Sequence, residues 1–270
     1  VSEGAAIHLG HKLNSMEKIY KEGKFSGWRC DGKGDNFPIE AKIVIDASGV
    51  AGICSRLLSL NPRPKVIAGM QYEMLEVPTD DYLDFYIWPK YAEKGYVWMI
   101  PKCDGRANVG LVTEDKSRTK KGLDEFIANT HFKDLEQVAP PWKIKGNPAF
   151  GGTIPISGPH ENTYADGLML VGDAAHFIHP LAGQGLNLGI RDIITLEKII
   201  DKKDYADIGL KGFLRKYERA RKEDVAQMGF LTLGLNWIFS NKSSILNRIV
   251  GKGMSMLDKS KLLKKQLIKK

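Results

Sequence analysis

The feature that most constrains the fold is an apolar run that stops abruptly at a glycine and an aspartate. Residues 167–171 predict a buried strand, and Gly172 and Asp173 follow it directly. Gly185 then precedes a stretch of helical periodicity, residues 186–200. A strand that leads through a glycine turn and a carboxylate into a helix is typical of α/β folds, which bind ligands at the carboxyl ends of their strands.

The residue types in this block suit a ligand that carries both hydroxyl groups and anionic oxygen. Asp173 can accept hydrogen bonds from sugar or ribityl hydroxyls, and a core position without a partner would not suit it. Pro180 stiffens the turn, while Gly183 and Gly185 lack a Cβ atom and let backbone amides approach a flat ligand closely. These amides lie at the positive end of the following helix, which favours anionic oxygen. An ordinary strand, glycine turn and helix is the alternative interpretation.

Residues 172–187 closely resemble the second FAD-binding motif of the flavoprotein hydroxylase superfamily, whose fold is of the para-hydroxybenzoate hydroxylase type. The resemblance implies an α/β FAD-binding domain, an antiparallel β substrate domain and a helical C-terminus. It implies FAD as the cofactor, with Asp173 at the ribityl or pyrophosphate region and the amides of residues 183–187 facing the isoalloxazine ring. Together with a second element described next, the implied cofactor-binding residues are Ala47, Ser48, Gly49, Gly172, Asp173, Pro180, Gly183, Gln184, Gly185, Leu186 and Asn187.

The second element is another β-branched run, residues 41–47, which predicts a buried strand and ends at Ser48 and Gly49. The superfamily has an Asp-Gly element here that contacts FAD and the reductant, and this sequence has Ser48 where that aspartate often lies. Because Ser48 replaces that aspartate, the motif does not show whether a nicotinamide binds here. The reductant is therefore left open between NAD(P)H and ferredoxin. A strand that simply ends in a glycine turn is the alternative.

No G-x-G-x-x-G follows a predicted strand, although the superfamily opens with that fingerprint, which holds the ADP pyrophosphate. We therefore expect a fragment whose nucleotide-binding segment would precede Val1, or the product of a truncated gene. A flavin site that has degenerated into a scaffold is the alternative, and the intact block 172–187 argues against it.

Residues 95–102 closely resemble the Y-x-W-x-F-P element of geranylgeranyl reductases, with Ile100 in place of phenylalanine. Residues 108–110 and 152–155 are also similar to that family. The resemblance implies that Tyr96, Trp98 and Pro101 bind substrate. Physically, Tyr96 and Trp98 alternate and therefore project from one face of a strand, where they suit a prenyl chain. Aromatic packing in an ordinary core is the alternative.

The function favoured by these motifs is an FAD-dependent oxidoreductase that reduces carbon–carbon double bonds of geranylgeranyl or other isoprenoid lipids. Residues 219–239 resemble the tail of ubiquinone-biosynthesis hydroxylases, which share the Gly183-Gln184-Gly185 form. The first alternative is therefore an FAD-dependent monooxygenase that hydroxylates an aromatic or quinone-precursor ring. The second is a non-catalytic fragment that binds lipid or a partner, which the missing fingerprint favours.

The amino-acid composition favours some classes of binding partner and disfavours others. Lys and Arg number 40 against 32 Asp and Glu, a net charge of +8 that favours an anionic partner. Nucleic-acid binding is not expected, because no basic module with interleaved aromatic residues occurs. Three scattered cysteines without a C-x-x-C indicate neither a zinc ribbon nor a disulfide framework, and they suit a reducing cytoplasm. His176 and His179 lack a third ligand nearby, so no metal site is predicted; a structural role for His179 is favoured over proton donation near the flavin.

The patterns of apolar and turn residues along the whole chain predict three domains. No apolar run approaches the ~20 residues that are needed to cross a bilayer. Strands at 72–77, 82–88, 96–100 and 107–112 form an antiparallel sheet, a helix covers 121–132, residues 142–156 are extended, and residues from 205 onward are helical. The predicted domains are a partial FAD-binding domain (1–66 and 157–204), an antiparallel β substrate-binding domain (67–156) and a C-terminal helical region (205–270). Apolar residues within 230–239 near a lysine-rich tail suit a peripheral contact with an anionic membrane face, the alternative being a solvated helix.

Overall fold

The structure is a computed structural model that describes residues 4–78, 82–138, 148–156, 158–178, 180, 183–200, 209–240 and 244–260. The chain divides into two compact units, Val1–Val66 with Pro155–Phe230, and Ile67–Ile154 with Leu231–Lys270. The predicted three-part division stays a prediction.

Along the described chain, the strands come in three groups of four; one helix follows each of the first two groups and three helices follow the last. The strands are β1 (Lys12–Lys21), β2 (Lys24–Lys33), β3 (Ile39–Ala41), β4 (Val44–Asp46), β5 (Val66–Met74), β6 (Asp84–Tyr86), β7 (Tyr96–Pro101), β8 (Ala107–Thr113), β9 (Gln137–Val138), β10 (Phe150–Pro155), β11 (Tyr164–Ala165) and β12 (Leu168–Leu170). The helices are α1 (Ile53–Leu57), α2 (Thr119–Ala128), α3 (Gly185–Ile200), α4 (Lys211–Ser240) and α5 (Ser244–Lys259).

The first unit begins with a hairpin that the sequence patterns did not predict. β1 and β2 are antiparallel and joined by Glu22 and Gly23, both at positive φ, as a two-residue hairpin turn requires. β1 has charged or polar residues at most positions and buries only Met16, so its alternation is too weak to read. The strand predicted at 41–47 is divided in the structure: residues up to Ala41 belong to β3, which pairs with β2, and only Val44–Asp46 form β4.

A small sheet in the order β11-β12-β4 lies at the centre of this unit. β12 is parallel to β4, with Leu168 opposite Val44 and Leu170 opposite Asp46. All three residues of β12 are fully buried, because the strand has packing on both faces. Leu168 and Leu170 pack with Trp28 and Cys54, while Met169 packs on the other side with residues of α3 and α4.

The second unit is built on an antiparallel sheet in the order β10-β5-β8-β7-β6, with β9 beside β5. Alternate residues of β7 and β8, such as Val97 and Val109, form one core with Leu123 and Phe126 of α2. Trp98 and Gly110 belong to the opposite face, which this core does not include.

Most of the strands and helices predicted from the sequence are present in the structure, but they begin and end at different residues. The predicted antiparallel sheet is confirmed, although the strand expected at 72–77 is β5 (Val66–Met74), because its register with β8 ends at Met74. The helix expected at 121–132 is α2 (Thr119–Ala128). Residues 142–147 of the extended segment expected at 142–156 lie outside the described residues, and the rest contains β10 (Phe150–Pro155). Over the part of the chain that the structure describes, no helix combines the length and apolar character that crossing a membrane demands.

Candidate functional site

The carboxyl ends of β4 and β12 meet at one edge of the central sheet. The amide of Val171 donates to the carbonyl of Asp46 over 3.0 Å, which extends the parallel pairing beyond the strands. The turn that contains Gly49 packs against the turn that begins at Gly172. The two sequence elements predicted to bind the cofactor are therefore neighbours, as expected for parallel strands.

Asp46 organises the turn after β4. It is buried, and its carboxylate accepts from the amides of Ser48 (2.9 Å) and Cys54 (2.8 Å) and from the Ser48 hydroxyl. The Ser48 hydroxyl in turn accepts from the amide of Ile53 at 2.8 Å. The Ser48 side chain thus holds the loop, and the groups that residues 47–49 can offer a ligand are those of the backbone.

Gly172 makes the corresponding turn after β12. Its φ of 57° lies in the left-handed region, and its carbonyl accepts from the amides of Ala175 (2.9 Å) and His176 (3.0 Å). A Cβ atom at this position would meet nothing within 4 Å, so the glycine borders open space. A ligand can approach the backbone closely here.

Asp173 lies half-buried between this turn and α3. A Cβ atom on Gly185 would lie 3.7 Å from its Oδ1 atom, so the carboxylate sits beside the beginning of the helix. Burial raises the pKa of Asp173, and the nearby His176 opposes that rise. The carboxylate is an acceptor placed where hydroxyls of a ligand could donate to it.

The N-terminus of α3 supplies donors. The amide of Gly183, whose φ is 61°, donates to the carbonyl of Pro180 at 2.9 Å and shapes the approach to the helix. The first helical bond runs from the Leu188 amide to the Gln184 carbonyl at 3.0 Å, so the amides of residues 185–187 precede the helical ladder. The Asn187 side-chain amide donates to Oε1 of Gln184 at 2.8 Å, which joins two of the predicted residues.

This donor set fits the flavin group that the motif implies. A carboxylate suits ribityl hydroxyls, and the amides of residues 185–187 at a helix N-terminus suit anionic oxygen. Gly172 and Gly183 leave room that a Cβ atom would fill, since neither would meet a heavy atom within 4 Å. Pro180 contributes the carbonyl that accepts from the Gly183 amide, and Leu186 contributes its backbone amide, with its side chain exposed.

A buried ion cluster supports the turn, and the sequence analysis missed it. Asp192 is fully buried and accepts from the Gly172 amide (2.7 Å), from His176 Nε2 (2.9 Å) and from Arg221 Nε (2.6 Å). Arg221 also donates to Asp224 at 2.6 Å. Burial alone raises the pKa of Asp192, but the bonds from His176, Gly172 and Arg221 outweigh it and lower the pKa below its ordinary value.

A signal for this cluster existed in the sequence. Leu188, Asp192 and Leu196 recur at four-residue intervals, and all three are buried on one stripe of α3. An aspartate on the core stripe demands buried partners. His176 is one of these partners, so the structure gives it a hydrogen-bonding role; His179 lies outside the described residues.

The residues predicted to bind substrate lie on the open face of the second unit. The Trp98 indole NH donates to Oε1 of Gln71 at 3.1 Å, and both residues flank Gly110. A Cβ atom on Gly110 would lie 2.3 Å from the indole, so the ring lies directly over this glycine. The cavity beside Trp98 has a volume of about 230 Å³ and is lined by Gly69, Met70, Gln71, Trp98, Phe150, Gly151, Gly152, Thr153 and Ile154. Another cavity, of about 410 Å³, lies in the first unit.

Tyr96 and Pro101 differ from Trp98 in their surroundings. Tyr96 is buried, with its ring 5.9 Å from Trp98 and 5.2 Å from Phe85, and burial raises its pKa to about 12. Pro101 ends β7 opposite Ala107 and does not line the cavity. The structure therefore brings Tyr96 and Trp98 together and leaves Pro101 at the end of the strand. Within the described ranges, no group of three or more His, Cys, Asp or Glu side chains could hold a metal ion.

Comparisons with known proteins give consistent matches. Residues 1–229 match the family model described as FAD binding domain. Digeranylgeranylglycerophospholipid reductase 2 of Methanothermobacter thermautotrophicus is 30% identical over 259 residues, which cover 91% of this chain and 64% of that protein. The digeranylgeranylglycerophospholipid reductase of Methanocaldococcus jannaschii is 32% identical over 247 residues, covering 88% and 62%. The chain thus spans slightly less than two thirds of the length of these relatives.

Two solved structures share the fold. A geranylgeranyl bacteriochlorophyll reductase-like protein from Thermoplasma acidophilum superposes with a TM-score of 0.73 at 26% identity, over 89% of this chain and 61% of that one. A probable FAD-dependent monooxygenase from Pseudomonas aeruginosa superposes with a TM-score of 0.61 at 17% identity, over 89% and 66%, and shows the fold alone. The predicted fold class is confirmed.

Proposed function

Because this chain belongs to the family of FAD-binding domains, we propose that it acts in an FAD-dependent oxidoreductase that reduces carbon–carbon double bonds of geranylgeranyl and related isoprenoid lipids. The observation that carries the proposal is the glycine-floored cavity beside Trp98 on the open sheet face. Such a surface offers mainly apolar contact, which suits an alkene chain. The relatives named as digeranylgeranylglycerophospholipid reductases support the same substrate class.

In this proposal the first unit holds the cofactor. Asp173 accepts from ribityl hydroxyls, and the amides of residues 185–187 stabilise negative charge on the bound group. The cluster around Asp192 keeps the Gly172 turn in place through the 2.7 Å bond to the Gly172 amide. When bound, a reduced flavin supplies hydride chemistry to an alkene. The chain's own contribution is to bind, orient and exclude water.

The second unit holds the lipid in this proposal. The hydrogen bond that the Trp98 indole NH donates to Oε1 of Gln71 fixes the indole plane, so the ring presents a flat apolar surface beside the cavity. The buried ring of Tyr96 packs edge to face against Phe85 and lies 5.9 Å from the ring of Trp98, so it helps to hold the indole in place. A prenyl chain that lies along this row is shielded from water, as a reaction with hydride requires.

Two finer features belong to the same proposal. We infer that the reductant is NAD(P)H or ferredoxin, with Ser48 holding its loop rather than contacting the donor. We also infer a peripheral contact with an anionic membrane surface. Exposed Phe230, Leu231 and Trp237 on α4 support it, together with the exposed Lys252 and Lys259 on α5.

The decisive experiment identifies the product. The flavin-loaded protein is reduced, mixed with a geranylgeranyl lipid or with a polyprenyl phenol, and analysed by mass spectrometry with and without oxygen. A gain of hydrogen pairs without oxygen is expected. A gain of one oxygen atom, in air only, would instead assign the monooxygenase alternative that the Gly183-Gln184-Gly185 form favours. No product under either condition would assign the non-catalytic alternative.

A further inference from the structure

The open face of the second unit changes from aromatic to cationic along β7. Side chains of an extended strand alternate, so Trp98, Ile100 and Lys102 share one face. Trp98 pairs with Gly110 and Ile100 with Asn108, and the amide of Lys102 donates to the carbonyl of Arg106. At about 3.4 Å per residue, Lys102 lies roughly 14 Å along the strand from Trp98.

The cationic end is organised by one buried carboxylate. Glu73 is 2% exposed, and its Oε1 atom lies 3.1 Å from Lys102 Nζ and 3.3 Å from Arg106 Nη1. Burial alone raises the pKa of Glu73, but the bonds from Lys102 and Arg106 outweigh it and lower the pKa below its ordinary value, so the group is ionised at neutral pH. One negative charge thus faces two positive charges.

The two cations have capacity left for a ligand. The side chains of Lys102 and Arg106 are 40% and 42% exposed, whereas Glu73 lies beneath them. An ammonium has three donors and a guanidinium has five, and the one shared carboxylate oxygen uses few of them. The three side chains together carry a net charge of +1. The buried Glu73 carboxylate fixes the positions of the two cations, whose remaining N–H donors are available to a ligand.

We propose that Lys102 and Arg106 bind the phosphate group of a prenyl lipid whose apolar chain lies along Trp98. The inference rests on the proposed function and deepens it, since it assigns two side chains of this chain to the phosphate of the substrate. Lysine and arginine both donate charge-assisted bonds to phosphate oxygens. Glu73 holds the two mutually repelling cations side by side in the absence of a ligand, and its carboxylate competes with a phosphate for their donors.

The test compares two ligands that share one chain and differ only at the head. Binding of geranylgeranyl phosphate and of geranylgeraniol to the flavin-loaded protein is measured by equilibrium dialysis with labelled lipid. We expect the phosphate to bind at least about tenfold more tightly, a factor that corresponds to about 1.4 kcal/mol. In K102Q/R106Q this preference should fall to nearly one, with the affinity for the alcohol retained.

A matched control removes two positive charges elsewhere in the same unit. K94Q/K116Q changes two exposed lysines, one of which, Lys94, is ion-paired with the exposed Glu114. This variant should keep the tenfold preference, because the effect requires local contact rather than net charge.

Two further variants separate binding from folding. In K102Q/R106Q the carboxylate of Glu73 stays buried without its cations, which could unfold the unit. E73Q/K102Q/R106Q removes that charge as well and should show the same loss of preference. E73Q alone raises the local charge to +2 and should increase the preference for phosphate, which a purely structural role of the cluster would not do.

The outcomes divide clearly. Equal binding of both lipids, or a preference that K102Q/R106Q leaves unchanged, overturns the headgroup site while the proposed function stands. Glycerol phosphate binding as tightly as geranylgeranyl phosphate also overturns it, because the cations would then serve a free phosphate. Failure of both lipids to bind the flavin-loaded protein overturns the proposed function together with the headgroup site.

Discussion

Single side chains decide whether the polar edge of the first unit keeps its shape, and Asp192 has the largest effect. It accepts hydrogen bonds from the Gly172 amide, His176 and Arg221. If the carboxylate were lost, the Gly172 amide and His176 would lose this acceptor, and Arg221 would keep Asp224 and the Leu188 carbonyl. The turn that carries Asp173 therefore depends on a residue twenty positions further along the chain.

Asp192→Asn is expected to lower the free energy of unfolding by about 3 kcal/mol, because Arg221 would remain buried with fewer acceptors. Urea denaturation at pH 7 measures this. Asp134→Asn, at an exposed position beside Lys133, serves as the control and should change little. Equal stability of the Asp192→Asn variant and the unmodified protein would contradict the role given to the cluster.

The same cluster predicts a pH dependence with a definite sign. Folding lowers the pKa of Asp192, so its stabilisation is present above the ordinary aspartate pKa of about 4 and is lost as the pH falls through the lower folded value. The difference in unfolding free energy between the unmodified protein and Asp192→Asn should therefore shrink from pH 7 to pH 3. A difference that grows towards acid pH would show that the sign is wrong.

Asp173→Ala is expected to weaken FAD retention, because the variant loses the acceptor for ribityl hydroxyls. Flavin absorbance of the protein after gel filtration gives the occupancy. Glu197→Ala removes an exposed carboxylate from α3 and should leave occupancy unchanged. Full occupancy in Asp173→Ala would remove Asp173 from the cofactor site.

Cysteine reactivity provides a test that needs no ligand. Burial, with a further contribution from Asp46, raises the pKa of Cys54 to about 12, and burial also raises that of Cys30. Cys103 is exposed. Since the thiolate is the reactive form, iodoacetamide at pH 7 should modify Cys103 within minutes and spare the other two in the folded protein. Modification of Cys54 at a comparable rate, seen by peptide mass spectrometry, would contradict the packing around Asp46.

At the scale of elements, β5, β7 and β8 present one residue each to the same row of the open sheet face: Gln71, Trp98 and Gly110. A side chain at Gly110 would occupy the space of the indole, so the glycine and the tryptophan form one feature. The helix α2 packs on the opposite face of the sheet through Leu123 and Phe126 and therefore does not cover this row.

Trp98→Ala should spare flavin binding and lower the turnover of long prenyl lipids about tenfold or more, a loss within the range for truncating a buried aromatic contact. Trp98→Phe keeps an apolar ring at the same place and should retain most of the turnover. Product formation measured by mass spectrometry, with flavin occupancy measured on the same samples, separates the two effects. Normal turnover in Trp98→Ala would remove this residue from the substrate surface.

At the scale of the whole molecule, the chain divides its polar and apolar chemistry between two units. The first holds the carboxylate, the helix N-terminus and the buried ion cluster. The second holds the aromatic row that ends in Lys102 and Arg106. This division matches what a flavin and a lipid each require, since one is rich in polar groups and the other is mostly apolar.

The net charge of +8 and the exposed apolar side chains of α4 lead to a prediction for the entire protein. It should sediment with phosphatidylglycerol vesicles and much less with phosphatidylcholine vesicles, and added salt should weaken the binding. Phe230→Ser/Trp237→Ser should reduce sedimentation, while Tyr20→Ser, at an exposed position on β1, should not. Equal binding to both lipids at any salt concentration would contradict an electrostatic contact.

The sequence by itself was sufficient to predict the strand, turn and helix from Gly172 to Asn187, the shared sheet face of Tyr96 and Trp98, and the fold class. The strand, turn and helix of the block and the shared face of Tyr96 and Trp98 rest on periodicity and on turn residues, which act over a few positions of the chain. The fold class was implied by the resemblance of these motifs to a known family. Only the tertiary structure decided which groups hydrogen-bond to Asp192 and that Glu73 forms ion pairs with Lys102 and Arg106. The reason is physical: a charged side chain is stabilised by whichever donors folding brings within about 3 Å, and 29 residues separate Asp192 from Arg221 along the chain.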